Sequence, residues 1–311
     1  MRPLTCFRIF IASLVVVLLM FHDRIRSAEP ARVVAHRGAS AYAPEHTLAA
    51  YRLAMDQGAD YVEQDLAVTR DGVLICLHDD SLDRTTDVEQ VFPDRASVDP
   101  ATGRRQWLAA DLTLAEIKRL DAGRWFDAKF AGERIPTWEE AVRAVGNRAG
   151  LYPELKSPQI YRSRGVDMTV LFAESLRRLD LASAPASRLI VQSFDETSLR
   201  DLARLLPQTH RVFLIEVRDG AQWLSAAGLK DVKDFAAGIA PNKLLLDGHP
   251  DVVRDAHQAG LTVTPYTFSS RAPSRFADVR DEMRYYLADL GVDALFTDNP
   301  DRFPRDAAST R

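Results

Sequence analysis

Long apolar runs and paired cysteines are both missing from this chain. Its longest apolar stretch, residues 9–21, has thirteen residues, short of the ~20 that a membrane-spanning helix needs. The two cysteines are Cys6 and Cys76. Cys6 falls in the N-terminal leader, so a chain trimmed of that leader has no intramolecular disulfide, and Cys76 reads as a small buried hydrophobe. Charge of one sign is not in excess: 40 basic against 44 acidic residues leave a net charge of -4, which argues against a nucleic-acid partner. There is no internal repeat and no low-complexity tract. No glycine-rich phosphate loop follows the first strand, which counts against a doubly wound open sheet.

What is present begins with a leader. Arg2 and Arg8 precede the apolar run, and Arg24 and Arg26 follow it. Residues 1–28 therefore read as a signal peptide or a membrane anchor, with export to the periplasm or beyond the cell. Any membrane contact is expected only through that leader. The remainder has ordinary globular composition, 46% hydrophobic and 27% charged over 311 residues, enough for one α/β barrel with an insertion or for two average domains.

Strand-like and helix-like runs alternate after Ala31. Val33 and Val34 begin a short buried strand, and Pro44 suits the first turn of a helix carrying Leu48, Tyr51 and Met55. A strand over residues 61–68 meets a second short strand across Asp71-Gly72, the signature of a two-residue hairpin. That hairpin would set Asp65 opposite His78 and put Glu63, Asp65 and His78 on one face. A solvated edge hairpin with its polar face outward explains the same pattern. Residues 79–136 are polar and irregular, relieved by a short helix with Thr113 and Glu116 as a capping box. A stretch of that length is read as a small subdomain inserted over one end of the barrel. Regular alternation resumes at Thr137. Nine strand-like runs, two of them in the hairpin, point to an irregular (β/α)8 TIM barrel over residues 31–305.

In such a barrel the chemistry sits at the C-terminal strand ends. The polar residues found there are His36, Arg37, Glu63, Asp65, His78, Glu154 and Lys156, with Ser193 and Tyr266 further along. Each has a plain explanation alone: a structural histidine, a surface Glu-X-Lys pair. Together, three carboxylates without a thiolate suit a hard divalent cation, Ca²⁺ by preference and Mg²⁺ as the alternative. Arg37 and Lys156 beside it suit an anion such as phosphate. Two histidines supply a base and an acid near neutral pH, which together is equipment for cleaving a phosphodiester.

The segments AHRGASAYAPEHTLAAY, EQDLAVTRDGVLICLHDD, IPTWEEAV, YPELK, VQSF, PYTF and LFTDNPD follow one another in order. In these the chain resembles the glycerophosphodiester phosphodiesterase family, from about residue 33 to residue 300. FPDR at residues 92–95 and YPELKSP resemble its exported, calcium-dependent bacterial branch. The resemblance implies a TIM barrel with an insertion after the His-Asp motif. It implies His36 and His78 as the acid/base pair, Glu63, Asp65 and Glu154 as metal ligands, and Arg37 and Lys156 on the phosphate. The implied reaction hydrolyses small glycerophosphodiesters, such as glycerophosphocholine and glycerophosphoethanolamine, to sn-glycerol 3-phosphate and an alcohol. Glu45 either organises the site or is an acid in a helix first turn, and Asp79 either orients His78 or caps a turn. Trp125 and Phe126 are read as a small core of the insertion in preference to a wall of the cleft. The competing readings are a related barrel phospholipase D or lyase acting on lysophospholipid or sphingomyelin, and a non-catalytic membrane-tethered binding protein. The sequence gives no oligomeric state.

Overall fold

The computed structural model describes residues 30–308. The expected signal peptide or membrane anchor over residues 1–28, with Cys6 in it, lies outside the described residues. In chain order the strands are β1 (Arg32–Ala35), β2 (Tyr61–Val68), β3 (Leu74–Cys76), β4 (Ser97–Val98), β5 (Arg105–Gln106), β6 (Gly150–Leu155), β7 (Ile190–Ser193), β8 (His210–Ile215), β9 (Gly238–Pro241), β10 (Thr262–Val263) and β11 (Ala294–Thr297). Eight of them are parallel, ordered β10-β9-β8-β7-β6-β2-β1-β11. The seam between β10 and β11 is bridged by Asp293 N–H to Val263 O at 2.9 Å and Phe296 N–H to Pro265 O at 3.0 Å. The result is a nearly closed eight-stranded barrel with helices outside it, as the alternation of the sequence implied. β3 is the ninth run, an antiparallel addition to β2. Among the described residues no helix is long and apolar enough to cross a membrane.

All eight residues of β2 are buried, because a strand in this architecture is covered on both faces. Alternation then sorts them. Val62 and Leu66 join the apolar layer between strands and helices. Tyr61 joins the barrel interior with Val34, Tyr152, Val212, Leu214, Ala240 and Phe296. Every member of that interior set fixes the inward parity of its own strand. Glu63 and Asp65 follow Tyr61 at that parity, Glu154 follows Tyr152, His36 follows Val34, and Asp298 follows Phe296. An apolar layer thus floors the barrel, and the same strands carry a polar layer above it.

The hairpin differs from its expected form. Thr69 N–H donates to Val73 O and Gly72 N–H to Thr69 O, each at 3.0 Å, so the loop is three residues long. Only Gly72 takes a positive φ, +78°, the conformation such loops need at their last position. The ladder pairs Leu66 with Cys76 and Val68 with Leu74, one residue out of the expected register. Asp65 therefore faces Leu77, not His78. Cys76 is buried, as its reading required.

Other boundaries moved for local reasons. The first helix runs Leu48–Asp56 with Thr47 as N-cap and no acid in its first turn, so Pro44 and Glu45 lie before it. Thr113 and Glu116 do form a capping box, and so do Thr137 and Glu140. Helix Ala226–Lys233 lies between β8 and β9, and of the apolar run over residues 238–246 only Gly238–Pro241 is strand. Within residues 79–136, Leu82, Val88, Trp107, Leu112, Ile117 and Leu120 are buried in the same apolar cluster as Val62, Ile75 and Trp138. The insertion is welded to the helical layer rather than built round its own centre. Trp125 is 40% exposed and Phe126 is half-buried, so the expectation that they form a small core fails.

Candidate active site

The segment His36-Arg37-Gly38 ends β1 in a tight turn. Gly38 sits at φ +85°, and a Cβ there would lie 2.8 Å from Ala50, so only glycine lets the turn tuck against the first helix. Arg37 itself takes φ 57°, an uncommon choice for a residue with a side chain. Its backbone N–H is aimed at Glu63 Oε2, 2.7 Å away. The turn thereby brings an imidazole, a guanidinium and a backbone donor to the barrel mouth at once.

Glu63, Asp65 and Glu154 each offer an oxygen to a point where these atoms lie within 4.8 Å of one another, and all three residues are buried. Strand register causes this: Asp65 pairs with Glu154, and Glu154 with Gln192. Gln192 Nε2 donates to Glu63 Oε1 at 3.0 Å. His46 Nε2–H donates to Asp65 Oδ2 at 2.8 Å, and His46 Nδ1 accepts from the Tyr51 hydroxyl at 3.0 Å. Asp65, held ionised, can only accept, so neutral His46 carries its proton on Nε2 and its Nδ1 is left to the Tyr51 hydroxyl. Asp65 Oδ1 is left without a hydrogen-bond partner.

The electrostatics follow from crowding. Burial, then the repulsion of Asp65 and Glu154, pushes the Glu63 carboxyl well above its usual range. Burial also lifts Glu154, to about 8, against the pull of Lys156. Burial would raise Asp65 too, yet Lys156 and the His46 hydrogen bond hold it well below its ordinary value. Lys156 Nζ stands 3.4 Å from Glu154 and 3.9 Å from Asp65. A buried trio of mutually repelling carboxylates with one oxygen unpartnered fits a divalent cation: its donors are hard oxygens, and the ion's charge removes the repulsion.

A histidine flanks the trio on either side. His36 Nδ1–H donates to Asp298 Oδ1 at 2.7 Å, and Ser40 holds the same oxygen at 3.0 Å. His36 Nε2 is 3.9 Å from Glu63 Oε2. His78 Nδ1–H donates to Asp79 Oδ1 at 2.6 Å. Each ring thus has its Nδ1 occupied by a carboxylate and its Nε2 left for proton transfer. Burial lowers both imidazoles from their ordinary value, helped by Arg37 at His36 and by Lys156 and Arg37 at His78. Both therefore favour the neutral form near pH 7. The strand ladder does not carry His78 there; the chain leaves it after Cys76 and turns inward.

Every residue expected at the site lines one cavity of about 160 Å³: His36, Arg37, Glu63, Asp65, His78, Glu154 and Lys156, with Tyr266 also on its wall. Ser193 does not share it, since its hydroxyl donates to Leu155 O and accepts from Asp195 N–H. Glu45 proves an organiser: it takes Arg37 at 3.0 Å and both terminal nitrogens of Arg84 at 2.7 and 2.8 Å. Asp79 orients His78 while bonded to Arg84. Four participants went unremarked in the sequence. Asp298 and Gln192 share the inward parity that marks the others, so that rule finds them. His46 lies inside the PEHT segment. Arg84 sits in the irregular insertion, where no pattern singles it out.

Known proteins resemble the chain over nearly this whole barrel. A glycerophosphodiester phosphodiesterase of Bacillus subtilis is 34% identical over 278 residues, covering 87% of this chain and 84% of its own length. One from Haemophilus influenzae is 31% identical, covering 86% and 87%. Among solved structures, an Oleispira antarctica phosphodiesterase in complex with the product sn-glycerol 3-phosphate superimposes with a TM-score of 0.71 at 27% identity, over 90% of this chain and 98% of that one. A glycerophosphodiester phosphodiesterase of Agrobacterium tumefaciens gives 0.65 at 28% identity, over 88% and 98%. Residues 36–302 match the glycerophosphoryl diester phosphodiesterase family, and the chain belongs to that family.

Proposed function

We propose that this chain, a glycerophosphodiester phosphodiesterase, releases sn-glycerol 3-phosphate and a small alcohol with Ca²⁺ in the Glu63, Asp65, Glu154 cluster and works after export. The observation that carries the reading is the carboxylate trio between two histidines, each held on Nδ1 by its own carboxylate. A divalent cation held by these three carboxylates would supply Lewis-acid charge to the substrate's phosphate. Arg37 and Lys156 add positive charge on the same anion.

Proton traffic belongs to the imidazoles. His36 is the more buried and stands next to Arg37, so its neutral form is favoured and it is the base. His36 Nε2 takes the proton of the glycerol 2-hydroxyl, or of water, as that oxygen attacks phosphorus. His78, nearer solvent and steadied by Asp79, takes up a proton as the anionic phosphate arrives and, as an imidazolium, gives its Nε2 proton to the departing alcohol oxygen. Where the 2-hydroxyl attacks, a cyclic glycerophosphate forms, and water opens it with the two histidines exchanging roles. Asp298 and Asp79 hold the tautomers and steady each imidazolium as it appears.

In this reading residues 1–28 direct export or anchor the chain, residues 31–305 form the catalytic domain, and residues 79–136 are its insertion. FPDR and YPELKSP support assignment to the exported, calcium-using branch, and a hard, all-oxygen donor set favours Ca²⁺ without excluding Mg²⁺. The direct test is hydrolysis of glycerophosphocholine by the chain without its leader, stripped with EDTA and then given Ca²⁺ or Mg²⁺. Activity should vanish and return, more fully with Ca²⁺. Undiminished turnover in EDTA would overturn the metal-dependent reading, and better turnover of lysophosphatidylcholine would overturn the substrate.

A further inference from the structure

The catalytic cavity opens into a second, larger cleft of about 480 Å³ that shares His36, Arg37 and Thr267 with it. Glu45, Arg84, Trp125, Ser269, Arg271 and Asp298 are also on its wall. A diester whose phosphorus sits at His36 and Arg37 has room for one ester group in the inner cavity and the other in this outer cleft. The inner cavity, with the carboxylate trio, suits glycerol. The outer cleft then receives the body of the leaving alcohol, whose ester oxygen stays at the phosphorus, in the inner cavity that His78 lines.

Its charges are not evenly matched. Arg37 is bound by Glu45 and faces Asp65 at 3.6 Å. Arg84 is bound by Glu45 and Asp79. Asp298 is taken up by His36 and Ser40. Arg271, from the loop after β10, is different. Its Nη2 donates to the Ala41 carbonyl at 2.5 Å, and its guanidinium lies 4.9 Å from the Phe126 ring centroid. Among the described residues no carboxylate lies within ion-pair distance of it. A guanidinium docked on an aromatic face and tied to a backbone carbonyl loses part of its freedom in advance, so it spends less on holding an anion. The contact also joins the insertion to the β10 loop across the mouth.

Building on the phosphodiesterase reading, we propose that Arg271 makes the outer cleft selective for a leaving alcohol that carries its own anionic group, a second phosphate above all. Such a group finds the one cation of the cleft that has no carboxylate partner among the described residues. A quaternary ammonium headgroup meets repulsion there instead. Arg271 is a specificity residue in this account and touches no reacting atom.

The test compares kcat/KM for glycerophosphoinositol, glycerophosphoinositol 4-phosphate and glycerophosphocholine in the wild type, Arg271→Gln and Arg271→Lys. The wild type should favour the phosphorylated inositol diester over the unphosphorylated one by about three- to tenfold, the scale of one partly exposed ion pair. Arg271→Gln should erase that preference and raise the choline diester relative to glycerophosphoinositol; Arg271→Lys should keep most of it. Added salt should shrink the wild-type preference toward unity. A wild-type ratio near one, or a preference that Arg271→Gln leaves intact, overturns the proposal while hydrolysis itself persists. Failure to cleave any of the three diesters would instead strike the phosphodiesterase reading.

Discussion

Replacing Asp298 by Asn tests the proton-transfer assignment at its support. Asp298 Oδ1 is the hydrogen-bond acceptor for His36 Nδ1, 2.7 Å away. Burial would raise this carboxyl, but the His36 hydrogen bond and charge hold it at about 2, so it is ionised at any working pH and can only accept. That forces the proton of neutral His36 onto Nδ1 and leaves Nε2 basic. An Asn amide can donate to Nδ1, which moves the ring proton to Nε2 and blocks it as a base. The loss is then that of a general base, about 10²–10⁴ in kcat, or about 3–5 kcal/mol of barrier. The pH profile carries a second signature. Burial lowers His36 below its ordinary value of 6.5, while Asp298 pulls it upward. A base must be neutral, so activity falls as pH drops through its pKa. Without the Asp298 charge that pKa drops further, and the acid limb of kcat/KM should move to lower pH even as kcat falls. Steady-state rates from about pH 5 to about pH 8 settle both points. A kcat within about threefold of wild type, with an unmoved acid limb, would refute the role given to Asp298 and the choice of His36 as base.

Three more outcomes follow from the same structure. Glu63 and Glu154 have folded-state pKa values above the ordinary 4.5, so the metal-free protein binds more protons folded than unfolded. Its stability should fall as pH rises from about 4.5 toward about 8. In EDTA the Tm should therefore decline over that range and Ca²⁺ should restore it most at the alkaline end; a flat Tm with no Ca²⁺ effect contradicts the cluster. His46→Ala removes the donor that occupies Asp65 Oδ2, and calorimetric Ca²⁺ affinity should weaken about 10–100-fold, whereas unchanged affinity would make His46 purely structural. Trp138→Ala empties a fully buried site against Phe172 and should cost about 3–5 kcal/mol in urea unfolding, with kcat little changed in what remains folded.

Much of this was legible in the sequence because period-two alternation is a strict rule. Once Tyr61 and Tyr152 face the barrel interior, Glu63, Asp65 and Glu154 must follow them. Strand ends then gather His36, Arg37 and Lys156 without any long-range information. His78 reached the right place for the wrong reason. Whether Asp71-Gly72 closes a two- or three-residue loop depends on the φ of Asp71, which the dipeptide leaves open, and one residue of slip exchanges the faces of the ladder. The insertion was least readable. Its short elements bury Trp107 and Ile117 against the barrel's own helical layer, and that packing shows no period. The same reason hid Arg84, whose place depends on Glu45 from a distant segment as well as on nearby Asp79.

The central claim is that the carboxylate trio holds the ion and the histidines flank the phosphate. A crystal of the leaderless chain grown with Ca²⁺ and sn-glycerol 3-phosphate, its ion located by anomalous scattering, tests it most directly. One ion should be bound by Glu63, Asp65 and Glu154 at about 2.3–2.6 Å, with the product phosphate within hydrogen-bond reach of Nε2 on both His36 and His78. An ion bound elsewhere, or a phosphate out of reach of either ring, would contradict it.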